Sequence, residues 1–218
     1  MSKTEMTAGE VWDSLVEGND RFVSGRPHHP HQTPERRGEL VGEQTPHAAI
    51  LGCSDSRVPA EIVFDCGLGD LFVVRNIGQV VNETVIATME FAVVALGVPL
   101  IVVKAHTSCG AVAATIEQSG STPPDTTPAI RNALDLIRPA VAEEWLSAPR
   151  ASHVVDAELI DANSAGRRHV RRMIAELTSR SEVIAEAVDQ GKVSIVGCQY
   201  DLNHGRTVPV TSVGALNI

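Results

Sequence analysis

The chain has 218 residues, 43% of them hydrophobic and 21% charged, and a formal net charge of -9. This composition predicts a single globular domain, residues 1–218, with one well-buried core. The acidic balance argues against a nucleic acid partner, because phosphate binding requires a basic surface. No run is as long as a membrane span and no apolar secretory signal opens the sequence, so we expect a cytoplasmic protein that does not bind membranes.

Residues 1–46 are predicted to form a helical arm followed by a loop. Thr7 and Glu10 have the spacing of a capping box, and the apolar pattern that follows is typical of an amphipathic helix. Its apolar positions include Val11, Leu15 and Phe22. The helix is expected to end near residues 25–27, where the sequence reads Gly-Arg-Pro.

The polar segment at 27–46 is predicted to be a loop with a short helix at about 35–42. It contains three histidines, His28, His29 and His31. Such a loop can bind a metal ion adventitiously. A solvated loop is the simpler interpretation, because the sequence offers these histidines no fixed partner.

The core, residues 47–218, alternates apolar runs with helical patterns, which predicts an α/β fold. Short runs rich in β-branched residues indicate buried strands at about 47–52, 71–75, 99–105 and 193–199. Apolar residues at helical spacing indicate helices at about 84–96, 111–118, 129–147 and 164–190. The first of these helices is followed by Gly97 and Pro99, which are typical of a helix end.

Soft metal ligands follow two of the predicted strands. Cys53 comes directly after the first strand, and His106 with Cys109 follows the third. The carboxyl ends of strands are the usual location of sites in open parallel sheets. One lone ligand and one close pair are typical of a catalytic zinc site, because a structural site takes four protein ligands. A water at the open fourth position loses a proton near neutral pH.

The remaining two cysteines, Cys66 and Cys198, are expected to be free, partly buried thiols. Four cysteines in a chain of this length do not indicate a disulfide framework. Any one of the four, taken alone, is most simply a core cysteine. The motifs around Cys53 and Cys109 favour metal binding for those two.

Asp55 and Arg57 follow Cys53 by two and four residues, at the point where the predicted strand ends. Both side chains are therefore expected to reach the metal and each other. A guanidinium group fits a carboxylate with two parallel hydrogen bonds. This spacing indicates an acid–arginine pair next to the metal.

The chain resembles the β-class carbonic anhydrases in three blocks, CSDSRVPAE (53–61), GDLFVVRN (69–76) and HTSCGAV (106–112). The similarity extends from residue 17 to residue 201. It implies a mostly parallel central sheet flanked by helices, a homodimer or homotetramer, and an N-terminal helical arm that packs on a partner subunit. It also implies Zn2+ as the cofactor and the reversible hydration of carbon dioxide to bicarbonate and a proton by zinc-bound hydroxide.

The resemblance also implies roles for single residues. The zinc ligands are Cys53, His106 and Cys109. Asp55 accepts a hydrogen bond from the zinc-bound hydroxide while Arg57 holds it in place, and in a closed state Asp55 becomes a fourth zinc ligand. The substrate-binding residues are Gln44, Phe72 and Gly110. Two thiolates cancel the formal charge of the ion, so we expect activity to rise toward alkaline pH.

The two residues that precede His106 depart from the family pattern. Lys104 stands where an apolar residue is usual, and it either perturbs the site or points to the surface. Ala105 stands where glycine is usual and needs slightly more room.

Two other functions also remain open. Relatives on this scaffold hydrolyse carbonyl sulfide or carbon disulfide with the same ligands, and a catalytically silent zinc-binding relative is a further alternative, against which the intact Asp55 and Arg57 count.

Overall fold

The computed structural model describes residues 6–147, 156–216 and 218. The strands in these parts of the chain are β1 (Ala48–Cys53), β2 (Leu71–Asn76), β3 (Leu100–His106), β4 (Ser194–Tyr200) and β5 (Thr207–Val213). They form one sheet in the order β2-β1-β3-β4-β5, parallel throughout except for the antiparallel pair β4 and β5. The predicted α/β fold with a mostly parallel sheet is confirmed.

Helices connect the strands. They are α1 (Ala8–Val23), α2 (Pro34–Glu39), α3 (Ala60–Val63), α4 (Glu83–Val94), α5 (Gly110–Ser119), α6 (Pro128–Asp135), α7 (Arg138–Ser147), α8 (Ala162–Arg180) and α9 (Glu182–Asp189), with 3-10 turns at Ile77–Gln79 and Ala157–Leu159. Strands β1 and β3 are buried along their whole length. Other elements therefore cover both faces of the sheet, as is usual for parallel strands.

All four predicted strands are confirmed to within one residue, but β5 was not predicted. Its residues are mostly half-buried or exposed, so it lacks a continuous apolar run. It also contains Pro209, which pairs with Cys198 at a register shift. A proline has no N–H for the ladder and is found at edge strands and irregular positions. The sequence signal for a strand was therefore weak here.

The prediction of single helices at 129–147 and 164–190 is wrong, since each segment forms two helices. The second break is at Ser181. Its hydroxyl accepts a hydrogen bond from the N–H of Ile184 at 3.1 Å and lies 2.6 Å from a carboxylate oxygen of Glu90, to which it donates. A serine with both partners caps a new helix, which interrupts the apolar pattern.

The N-terminal helix α1 packs its apolar face on the core of its own chain. Val11, Trp12 and Leu15 are buried there. The predicted capping box is confirmed: the N–H of Glu10 donates to the Thr7 hydroxyl at 3.2 Å, and the N–H of Thr7 donates to the Glu10 carboxylate at 2.8 Å. Packing of this arm on a partner subunit remains a prediction.

The histidine segment is a solvated loop as predicted, since His28, His29 and His31 are exposed, but it does have fixed partners. The N–H groups of His28 and His29 donate to the carboxylate of Asp65, each at 2.9 Å. Nδ1 of His31 lies 2.7 Å from Oδ1 of Asp70. Both acids lie between α3 and β2, 36 to 39 residues further along the chain than the histidines they bind, so local patterns did not reveal them.

None of the helices that the structure describes is both long and apolar enough to cross a bilayer. The cytoplasmic location remains a prediction.

Asn19 on α1 joins three parts of the chain. Its side chain is buried and donates to the carbonyls of Val63 at 3.0 Å and Gly205 at 2.9 Å. It also accepts the N–H of Thr207 at 2.8 Å. This one amide therefore fixes α1 against the end of α3 and the start of β5.

We predict that Asn19→Ala lowers the free energy of unfolding by about 2–4 kcal/mol, because three backbone groups lose their partner in a buried site. Urea unfolding at one fixed protein concentration measures this. Asp13→Ala, an exposed change on the same helix, is the control and should stay within about 0.5 kcal/mol of the unmodified chain. Equal effects of the two changes would contradict the assigned role of Asn19.

Candidate metal centre

The three predicted metal ligands meet at the carboxyl edge of the sheet. Cys53 ends β1, His106 ends the neighbouring strand β3, and Cys109 is the residue before the first turn of α5. Their ligand atoms lie within 4.8 Å of one another, and all three residues are buried. Among the residues that the structure describes, this is the group of His, Cys and acidic side chains that is arranged to hold a metal ion.

His106 presents a free nitrogen to this cluster. Its Nδ1 lies 2.9 Å from the carbonyl oxygen of Thr107. A carbonyl only accepts hydrogen bonds, so Nδ1 carries the proton and Nε2 has a lone pair. Nε2 is buried and has no hydrogen-bond partner within the described part of the chain. A metal ion next to the two sulfurs would satisfy this atom.

The surroundings of the Cys53 sulfur favour a thiolate. The Cys109 thiol donates to the sulfur of Cys53, and the N–H groups of Asp55 and Gly78 point at the same sulfur; together they hold the pKa of Cys53 well below its usual value. The first N–H groups of α5 point at Cys109, although the proton it shares with Cys53 raises its pKa in the absence of a metal. A cation between the sulfurs would replace this shared proton.

Asp55 and Arg57 form the predicted pair beside the ligands. Arg57 donates from Nε to Oδ1 of Asp55 at 2.9 Å and from Nη2 to Oδ2 at 2.7 Å. Its backbone N–H also donates to Oδ1 at 2.9 Å. These hydrogen bonds hold the pKa of Asp55 well below its usual range. Oδ2 lies 3.8 Å from Nε2 of His106, so an ionised carboxylate faces the cluster.

Two residues that support the site were missed in the sequence. Arg75 on β2 donates to the carbonyl oxygen of Cys53 at 2.8 Å and also to the carbonyl oxygen of Asp55. Asn163 on α8 accepts the N–H of Ser108 at 3.1 Å, and Ser108 has a left-handed φ of 52° between two metal ligands. The arginine inside an apolar run was a visible signal for Arg75. Asn163 gave none, because it looks like any polar residue of an amphipathic helix.

The structure brings one of the three predicted substrate residues to the cluster. Gly110 is the first residue of α5, directly after Cys109. Phe72 pairs with Ala49, four residues before the end of β1, which places it about 13 Å below the ligands at a strand rise of about 3.3 Å per residue. Gln44 is exposed and precedes β1 altogether. Within one chain, these two side chains do not line the metal centre.

The two unusual residues before His106 are both in the interior. Lys104 is only 1% exposed, so the alternative that it points to the surface is wrong. Burial lowers the pKa of its ammonium group to about 8. Ala105 is also buried, pairs with Gln199, and is accommodated within the regular ladder.

Comparison with known proteins supports one family. A sequence model of carbonic anhydrase matches residues 48–207. The chain is 42% identical to carbonic anhydrase 2 of Mycobacterium tuberculosis over 206 residues, covering 94% of this chain and 93% of that protein. It is also 42% identical to a carbonic anhydrase of Mycolicibacterium smegmatis over 198 residues, covering 90% of both.

Solved structures show the same fold. A tetrameric β-carbonic anhydrase of Sordaria macrospora matches with a TM-score of 0.68 and 24% identity, over 93% of this chain and 98% of that chain. A β-carbonic anhydrase of Aspergillus fumigatus gives a TM-score of 0.68 and 24% identity, over 91% and 89%. The chain therefore belongs to the β-class carbonic anhydrases, a family of lyases.

We predict that Cys109→Ser removes the metal from the purified protein, to below about 0.1 ion per chain, because a hydroxyl is a far weaker ligand than a thiolate. The thermal midpoint should fall as well, since metal binding and folding are coupled. Mass spectrometry of the metal content measures the first effect. Cys66→Ser, at a half-buried cysteine outside the cluster, is the matched control and should keep its metal. Full occupancy in Cys109→Ser would show that the ligand set is wrong.

Proposed function

We propose that the protein catalyses the reversible, zinc-dependent hydration of carbon dioxide to bicarbonate and a proton. Hydration of carbon dioxide is the general reaction of its family. The observation that carries the proposal is the position of Asp55, which is fixed on Arg57 with Oδ2 only 3.8 Å from Nε2 of His106. An ionised acceptor is thereby held next to a metal-ligand set that is one ligand short of a closed site.

Zinc fits the residues present. Two cysteines and a histidine with a free, buried nitrogen are the kind of soft set that zinc prefers. Magnesium and calcium prefer oxygen ligands, whereas this cluster offers two sulfurs and one nitrogen. Zinc bound here supplies a Lewis acid that makes a water acidic enough to act as a nucleophile near neutral pH.

Asp55 orients the attacking water in this proposal. An ionised carboxylate can only accept hydrogen bonds, so it fixes one O–H of the water and leaves a lone pair for the carbon atom. Arg57 keeps the carboxylate ionised and immobile by bonding both of its oxygens. The Arg57 Nη2 also donates to the carbonyl of Ser108 at 3.3 Å, which ties the pair to the loop of the other two ligands. The closed state, in which Asp55 would leave Arg57 for the metal, remains a prediction.

The alternative functions gain no support. The relatives named above are carbonic anhydrases, so nothing favours hydrolysis of carbonyl sulfide or carbon disulfide. The intact acid–arginine pair disfavours a silent zinc-binding protein.

We further propose that the chain works as a homodimer or homotetramer. Strand β2 is an edge strand whose residues are all half-buried, so it offers a free edge for a second subunit. Gln44 and Phe72 lie away from the cluster of their own chain and can line a substrate cleft only if a partner subunit brings them there. The Sordaria macrospora structures are described as tetrameric. Sedimentation analysis of the purified protein distinguishes a monomer from these assemblies.

We predict that the zinc-loaded protein hydrates carbon dioxide with a rate that rises from pH 6 to pH 9, measured by stopped flow. Arg57 holds the pKa of Asp55 far below this range, so Asp55 stays ionised throughout and the rise reports the reacting water. Two thiolate ligands make that water less acidic than neutral ligands would. Stoichiometric zinc without hydration at any pH would contradict the proposed function.

The same experiment on Asp55→Asn should give a kcat/KM lower by about 100-fold with unchanged zinc content, since an amide presents its N–H groups and binds Arg57 poorly. Asp20→Asn is the matched control, because it breaks a second Asp–Arg pair, with Arg206, on the protein surface. Its activity should equal that of the unmodified chain. A loss of kcat/KM much smaller than this in Asp55→Asn would show that Asp55 does not take part in the reaction.

A further inference from the structure

Lys104 is a buried lysine two residues before the metal ligand His106. It lies on β3 with 1% of its surface exposed. Its ammonium group donates to the carbonyl of Val58 at 2.9 Å and lies 5.5 Å from the centroid of the Tyr200 ring. Burying an ammonium group without a carboxylate partner is costly, and an apolar residue of the same length would fill the core without this cost.

The register of the sheet explains which group Lys104 reaches. Lys104 pairs with Gly52 on β1, and Gly52 pairs on its other side with Arg75. Paired residues of neighbouring strands point to the same face of a sheet. Lys104 and Arg75 therefore lie on the two sides of Gly52. Because Gly52 has no side chain, both cations can reach the segment that follows, residues 53–58.

Together these two cations bind three carbonyls of that segment. Arg75 bonds the carbonyls of Cys53 and Asp55, and Lys104 bonds the carbonyl of Val58. The N–H of Val58 donates to the carbonyl of Asp55 at 3.2 Å, which closes the turn that carries Arg57. Arg75 thus fixes the first half of the turn, and Lys104 fixes its far end.

We propose that Lys104 is a positioning residue for the Asp55–Arg57 pair, acting through the carbonyl of Val58. The inference rests on the proposed role of that pair in hydration. Without Lys104, the end of the turn loses its anchor in the sheet, and Arg57 no longer holds the Asp55 carboxylate in one orientation toward the ligands. Lys104 donates its hydrogen bond to the carbonyl of Val58 and not to a ligand side chain, so its positioning effect requires Arg57 to be present.

A double-mutant cycle tests this dependence. Lys104→Met keeps the apolar stem of the side chain, is one heavy atom shorter, and removes the donor. In the zinc-loaded enzyme it should lower kcat for carbon dioxide hydration about tenfold, with KM and zinc content within about twofold of the unmodified chain. In the Arg57→Ala background the same change should lower kcat by less than about twofold, because the group that Lys104 positions is already absent.

Val102→Ala provides the structural control. Val102 is fully buried two residues earlier on β3, on the same face as Lys104, but contacts no part of the turn through a hydrogen bond. It should lower the thermal midpoint and leave kcat within about twofold in both backgrounds. Lys104→Leu, which also lacks a donor, is measured in the same way if Lys104→Met does not fold.

Equal losses of kcat in both backgrounds, or loss of zinc from the Lys104 variants, would overturn the inference and leave Lys104 a general structural residue. An unmodified chain that binds zinc but does not hydrate carbon dioxide would instead contradict the proposed function, so the two failures are distinct.

Discussion

The parallel pairing of β1 with β3 is the constraint on which the rest of the site depends. The register aligns Gly52 with Lys104, so Cys53 and His106 follow one and two residues further along their strands and both come to the same edge of the sheet. Side chains alternate between the two faces of a strand, and a slip by one residue would turn a ligand to the opposite face. Both strands are buried along their whole length, so such a slip would force side chains on both faces of the sheet to repack.

The second constraint is charge. The sulfurs of two buried cysteines lie close to the Asp55 carboxylate, whose side chain is 17% exposed. Arg57, Arg75 and Lys104 surround them with three positive charges, and each of these also binds a backbone carbonyl or the carboxylate itself. The same cations that offset the negative charge therefore fix the turn geometrically. At the buried ligands, the electrostatic effect is stronger than it would be in water.

The sequence predicted the parts of this arrangement that depend on local patterns. Buried parallel strands are continuous apolar runs, so four of them were found, and the ligands were recognised because each follows such a run. The parts set by distant contacts were missed. Strand β5 is held by β4 despite Pro209 and its exposure, Ser181 divides a helical pattern through Glu90, and His31 depends on Asp70, 39 residues away. The burial of Lys104 could not be predicted either, because a lysine at the end of an apolar run can point to the surface or to the interior.

X-ray absorption at the zinc K edge of the purified protein tests the central claim most directly. The account predicts zinc with two sulfur ligands at about 2.3 Å, one nitrogen at about 2.0–2.1 Å and one further light atom at the open position. A shell of four protein ligands with more than two sulfurs, a shell without sulfur, or a different metal would contradict a catalytic site built from Cys53, His106 and Cys109.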